Sequence, residues 1–135
     1  PIAPVGNYIG AVTVGNLVFL SGHGPRETDG PLEGKLGDSL TVEEGQQPAR
    51  NVGLNMLATL KREVGDLNRV RRVVKVLGMV NAAPDFRQHP KVINGFSDLM
   101  VEVFGDSGRG GRSAVGMGLL PFQIPVEVEM IVEID

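Results

Sequence analysis

The sequence has no cysteine and no tryptophan, and its aromatic residues are five Phe and one Tyr. Without cysteine there is no disulfide framework, no thiol nucleophile and no zinc–thiolate site, which fits the reducing cytoplasm as the expected compartment. No stretch approaches the roughly 18 apolar residues that span a bilayer, and no charged-then-apolar leader opens the chain. Neither membrane association nor secretion is therefore expected. The chain opens at Pro1 rather than Met, which leaves room for residues ahead of it. Basic residues do not exceed acidic ones: 13 against 16 give a formal charge of −3. A dedicated binder of phosphate backbones carries the opposite balance, so a nucleic-acid partner is not expected. The only histidines, His23 and His89, lie far apart and offer no metal-ligand spacing. No metal is expected.

What is present describes a folded domain. The 135 residues are 41% apolar and 21% charged, enough to bury a core in one domain spanning 1–135. That core must come from Val, Leu, Ile and Met. Nineteen Gly and nine Pro are dispersed without a repeat, which points to tight turns between short elements. Runs at 9–14 and 17–21 flank Gly15-Asn16 and read as a β-hairpin. Residues 22–39 turn to Gly, Pro and charge, a loop long enough to suggest a functional role. Thr41-Val42-Glu43-Glu44 has the form of a capping box. Ala49, Val52, Met56, Leu57, Leu60 and Val64 then recur at helical spacing up to a stop at Gly65. Pro48 implies either a kink or a regular helix beginning near Gln47.

A β-branched strand is expected over 70–80, and a second helix over 90–104 with Pro90 at its start and Gly105 at its end. A strand over 113–120 follows the Gly-rich stretch 105–111. The last strand, 126–134, alternates apolar residues with Glu127, Glu129 and Glu133. The order ββ-α-β-α-ββ predicts an α+β two-layer sandwich, a mixed sheet with two helices on one face.

Several groups have the chemistry of a site. Gly110-Gly111-Arg112-Ser113 is not a phosphate loop, because position 106 is Asp, position 112 is Arg, and the context is helix to strand. What remains is an Arg whose planar fork suits a carboxylate, or else an ordinary surface ion pair. The carboxylates of the last strand are either a general acid or base or the wet face of a sheet. His23 ends the second strand and is either a loop hydrogen-bonder or a site residue, whereas His89 belongs to the entrance of the second helix. Arg69, Arg71, Arg72 and Lys75 lack interleaved aromatics and read as a solvated or salt-bridged strand surface.

Taken together, the chain resembles the RidA/YjgF family, also known as endoribonuclease L-PSP or translation-inhibitor-like proteins. Gly111-Arg112-Ser113-Ala114-Val115, Leu120-Pro121 and Val126-Glu127-Val128-Glu129 carry the resemblance, together with Leu20-Ser21-Gly22, Asp85-Phe86 and Asn94. It implies a chorismate-mutase-like fold, a homotrimer with sites between subunits, and no cofactor. It also implies hydrolysis of enamines and imines such as 2-aminoacrylate and 2-iminopropionate to 2-keto acids and ammonia. By the same resemblance, Arg112 holds the carboxylate of a small substrate and Glu127 positions or activates water. Tyr8, Ser21, Gly22, His23, Asn94 and Ser113 line the pocket. His23 stands where the family has Gln, Gly111 replaces the residue before the Arg, and the Phe86–Asn94 spacing is about four residues longer. Two other classes share these residues: a non-catalytic trimer that binds small carboxylates through Arg112, and an endoribonuclease.

One expectation concerns register. Pairing of the last two strands through a turn at Phe122-Gln123 would set Arg112 opposite about residue 133 and Glu127 opposite about residue 118. The two side chains would then be roughly 20 Å apart, so a shared substrate would need Arg112 from one subunit and Glu127 from its neighbour.

Overall fold

The two β-prone runs around Gly15-Asn16 form β1 (Ala11–Val14) and β2 (Leu17–His23), with Val14 opposite Leu17 across a two-residue turn. Gly15 takes the positive φ, 62°, that such a turn requires. These elements belong to a computed structural model that describes residues 3–26 and 30–135. Because β2 runs on to His23, the loop expected from residue 22 starts later; its residues 27–29 lie outside the described residues. The rest of that loop is pinned by Leu36, which is fully buried and donates its N–H to the Asn81 carbonyl at 2.8 Å.

Helix α1 (Val42–Val64) starts at the capping box: Glu44 N–H donates to Thr41 Oγ1 at 3.2 Å, and Thr41 N–H to Glu44 Oε1 at 3.0 Å. The helix runs through Pro48 instead of beginning near Gln47. The carbonyl that Pro48 leaves unpaired is that of Glu44, an exposed residue of the first turn where water can satisfy it. Strand β3 (Val70–Asn81) leads to α2 (His89–Phe104), which begins one residue before Pro90. Strand β4 (Gly111–Met117) starts and ends earlier than 113–120; a short 3-10 turn, Pro121–Gln123, then precedes β5 (Val126–Ile134).

The sheet order is β1-β2-β5-β3-β4, with β3 and β4 parallel and all other neighbours antiparallel. The expected hairpin of the last two strands does not form, since β3 lies between β4 and β5. The reason is in the connection: β3-α2-β4 is a strand–helix–strand crossover, which returns the chain parallel to β3. Both helices cover one face. Val126, Val128, Met130, Val132 and Ile134 of β5 are buried beneath them with Phe96, Ile93, Met56 and Leu60, each side chain contributing about 1.5–3 kcal/mol. The helices approach closely at Gly95, where a Cβ would stand 2.2 Å from the Gln46 carbonyl oxygen. Among the described residues, no helix is long and apolar enough to cross a membrane.

Candidate active site

The structure gathers five of the expected residues around one cleft of about 620 Å³ at the end of β2: Tyr8, Ser21, Gly22, His23 and Glu127. A register shift between Leu20 and His23 opens β2 away from β5 at this point. Ser21 fastens the N-terminal segment over the opening: its Oγ donates to the Ile9 carbonyl at 2.6 Å and its N–H to the Gly10 carbonyl at 2.9 Å. Gly22 is the spot where the Glu127 side chain lies against the backbone, since a Cβ there would be 2.3 Å from Oε2. Glu127 is half-buried, and its carboxyl is pushed above the ordinary range, first by desolvation and then by the neighbouring Glu129 charge. A carboxylate of raised basicity beside an accessible cleft is suited to take a proton from water.

His23 is tied off. With Nδ1–H donating to the Ser21 carbonyl at 2.6 Å, Nε2 accepts from the Thr59 hydroxyl at 2.8 Å. Burial, partly opposed by the Ser21 hydrogen bond, lowers its pKa and so favours the neutral ring, the form in which the Thr59 hydroxyl donates to Nε2. Sequence reasoning missed the support beneath it. Asn51, Asn55 and Thr59 are buried polar residues spaced by four along α1. Asn55 Nδ2 donates to the Gly24 carbonyl at 3.2 Å, and Asn51 Oδ1 accepts from Arg26 N–H at 3.4 Å. An i, i+4, i+8 row of amides and hydroxyl on an otherwise apolar face was the available signal.

Arg112 sits elsewhere. It pairs with Val76, which pairs with Met130, so its side chain shares the helix-covered face with those two residues. There Nη1 donates to Asn94 Oδ1 at 2.8 Å and to Ser97 Oγ at 3.2 Å, and Nη2 reaches the Pro90 carbonyl at 3.5 Å. The first turn of α2, which lies between Phe86 and Asn94, supplies one of these acceptors. All three are neutral oxygens, and among the described residues no carboxylate pairs with Arg112. Glu127 pairs with Met79 and lies on the other face of the sheet. Relative to Arg112 it is two strands across and three positions along, about 10 Å in each direction, with the sheet itself between them. With β3 between β4 and β5 the expected hairpin register does not exist, but the two groups still cannot meet on one small molecule within one chain.

Ser113 is not beside Arg112 either. As the next residue of β4 it points to the open face, where its Oγ accepts from Lys75 Nζ at 3.3 Å. That face also carries Val12, Phe19, Leu77, Val115 and Ile131 without a covering layer. Of the basic cluster, Arg69 bridges exposed Asp135 at 3.0 Å, and Arg72 donates to the Arg109 carbonyl at 3.0 Å. It is a strand surface, as its composition implied. Among the described residues no group of three His, Cys, Asp or Glu side chains could hold a metal ion.

Residues 2–134 match the family described as "YjgF/chorismate_mutase-like, putative endoribonuclease". Protein TCP17 of Trypanosoma cruzi is 44% identical over 135 residues, covering 98% of this chain and 84% of that protein. The crystal structure of Atu1372, a protein of unknown function from Agrobacterium tumefaciens, is similar with a TM-score of 0.92 and 41% identity, covering 98% of this chain and 86% of the other. RidA from the Antarctic bacterium Psychrobacter sp. PAMC 21119 is similar at a TM-score of 0.67 and 28% identity, covering 98% and 92%.

Proposed function

We propose that this chain, which belongs to the RidA/YjgF family, hydrolyses 2-imino acids to 2-keto acids and ammonium at a site completed by two subunits. The observation that carries the reading is the Glu127 carboxylate, held against Gly22 at the cleft with raised basicity while the neighbouring His23 is tied off as a neutral ring. One facing group is needed to hold the substrate carboxylate, and Arg112 has the right chemistry: a planar fork oriented by Asn94, Ser97 and Pro90 and, among the described residues, not paired with a carboxylate. Since the sheet separates the two groups, Arg112 comes from the neighbouring subunit. The uncovered apolar face supports the same reading, because it offers a surface on which further copies of the chain pack as a trimer.

The chemistry demands little beyond placement. A protonated imine carbon is already electrophilic, so an oriented substrate and a positioned water supply most of the acceleration. Glu127 takes a proton as water adds to C2, giving a neutral carbinolamine. It returns that proton to the nitrogen, the C–N bond breaks, and the hydroxyl oxygen closes the new C=O. The hydroxyl proton ends on ammonia, which leaves as ammonium, and the carboxylate is regenerated. Tyr8, Ser21 and Gly22 shape the walls, and Asn94 orients Arg112.

The test is keto-acid release from freshly generated 2-iminopropionate. Wild type exceeds the spontaneous rate, and Arg112→Ala and Glu127→Ala each return to it. Mixing the two variants restores activity, because some interfaces then hold an intact Arg112 and an intact Glu127. Wild type at the spontaneous rate sinks the hydrolase reading; failure of the mixture sinks the shared site.

A further inference from the structure

Phe122 and Gln123 are consecutive non-glycine residues with positive φ, 59° and 60°. Side chains with a Cβ rarely adopt this region, and a bulky aromatic residue less readily than most. Such a turn persists only where its surroundings over-determine it, and here they do. The Gln123 carbonyl accepts from Gly34 N–H at 3.0 Å, the Ile124 carbonyl from Asn81 Nδ2 at 3.2 Å, and the Pro125 carbonyl from Asn81 N–H at 2.9 Å. Asn81 is itself held, its Oδ1 accepting from Lys35 Nζ at 2.7 Å. These bonds fix the three residues that follow a ring left 70% exposed. The ring is not spent on the core of its own subunit. It lines the same cleft as Glu127, beside Tyr8, Pro25 and Ile124.

We propose that Phe122 is a specificity-determining residue: the held turn stands its ring as an apolar wall that selects imines with bulky apolar side chains over alanine-sized ones. The inference rests on the hydrolase reading for the identity of the reaction, and names the substrate class of that same site. With the substrate carboxylate on Arg112 and its C2 at Glu127, the third substituent of C2 turns toward the apolar side of the cleft. A methyl group would leave that wall wet, whereas a benzyl or isobutyl group would cover it.

The experiment compares two imines, generated in place by an amino acid oxidase from alanine and from phenylalanine, for wild type, Phe122→Ala and Phe122→Gly. Titration with phenylpyruvate and pyruvate gives a second readout that needs no turnover. Wild type is expected to favour the phenyl compound in both measurements. Both variants should cut that preference about tenfold or more, the usual size for one apolar pocket contact. Phe122→Gly should also raise Tm by roughly 3–5 °C, because glycine accepts the positive φ without strain. An unchanged preference in either variant overturns the proposal. So does a change of oligomeric state in Phe122→Ala by sedimentation, which would assign the ring to subunit packing. If wild type accelerates neither imine, the hydrolase reading falls, and the keto-acid titration alone decides the role of the ring.

Discussion

Replacing Gly22 by alanine tests whether the position of one carboxylate matters, because the atoms that the new methyl meets first belong to that side chain. The Gly22 backbone does not need glycine: its φ lies outside the positive range. The three atoms nearest the added methyl would all belong to the Glu127 side chain, with Oε2 at 2.3 Å, Cδ at 3.2 Å and Cγ at 3.5 Å. To reach ordinary contact at 3.4 Å the carboxylate oxygen must retreat by about 1 Å. Because the obstructing atom is the free end of a side chain, the fold absorbs the change, and stability should shift by no more than about 1 kcal/mol. Activity should not survive equally well. A reacting group misplaced by about 1 Å costs on the order of 10²-fold. The assay pairs steady-state 2-iminopropionate hydrolysis with thermal unfolding of the same samples. Glu127→Asp supplies the control: shortening the side chain should cost less in the Gly22→Ala background than in wild type, because the methyl no longer collides with it. Gly22→Ala with near wild-type kcat/KM would refute the reasoning, as would a large loss of stability.

Two further outcomes follow from the perturbed groups. Glu127 is raised by burial and by Glu129, so under the proposed hydrolysis the acid limb of the pH–rate profile should lie above the ordinary carboxylate range, and Glu129→Gln should move that limb to lower pH. Its folded value exceeds its unfolded one, so its contribution to stability is lost as pH rises through the folded value; Glu127→Gln should be more stable than wild type at neutral pH in urea unfolding. His23 has the opposite linkage. Its pKa is lowered on folding, so the unfolded chain binds the proton first and stability falls as pH drops below about 6.5 toward the folded value. His23→Gln should remove that slope, and the loss of the Thr59 partner should cost about 1–3 kcal/mol at pH 7.5; an unchanged slope would exclude His23 as its source.

The elements were legible wherever one local force decided them. The capping box, the two-residue turn at Gly15-Asn16 and the alternation of β5 all appear where the residues placed them. Strand order was not legible in the same way. Alternation says which residues of a strand share a face, but nothing about which strand lies alongside. The helix between β3 and β4 was the clue to a parallel crossover, and reading 113–120 and 126–134 as a hairpin ignored it. The polar ladder on α1 escaped because Asn51, Asn55 and Thr59 take meaning only from the strand segment that they bind.

The site itself was half legible, for a geometric reason. Arg112 and Glu127 could be chosen as chemistry-bearing residues, but a single chain contains no place where they meet. Glu127 looks out from the open face of β5, and Arg112 points under α2 from the edge strand β4. A side chain on one face of a sheet cannot pass through the backbone to the other. An edge strand, however, presents its end residues to whatever packs beside it, and the open face is apolar enough to be covered by a second copy. In the proposed assembly, a neighbour seated on that face would bring its own edge strand toward the cleft, and the guanidinium that is out of reach within the chain would arrive from outside it. On this reading the separation within one subunit makes catalysis conditional on assembly.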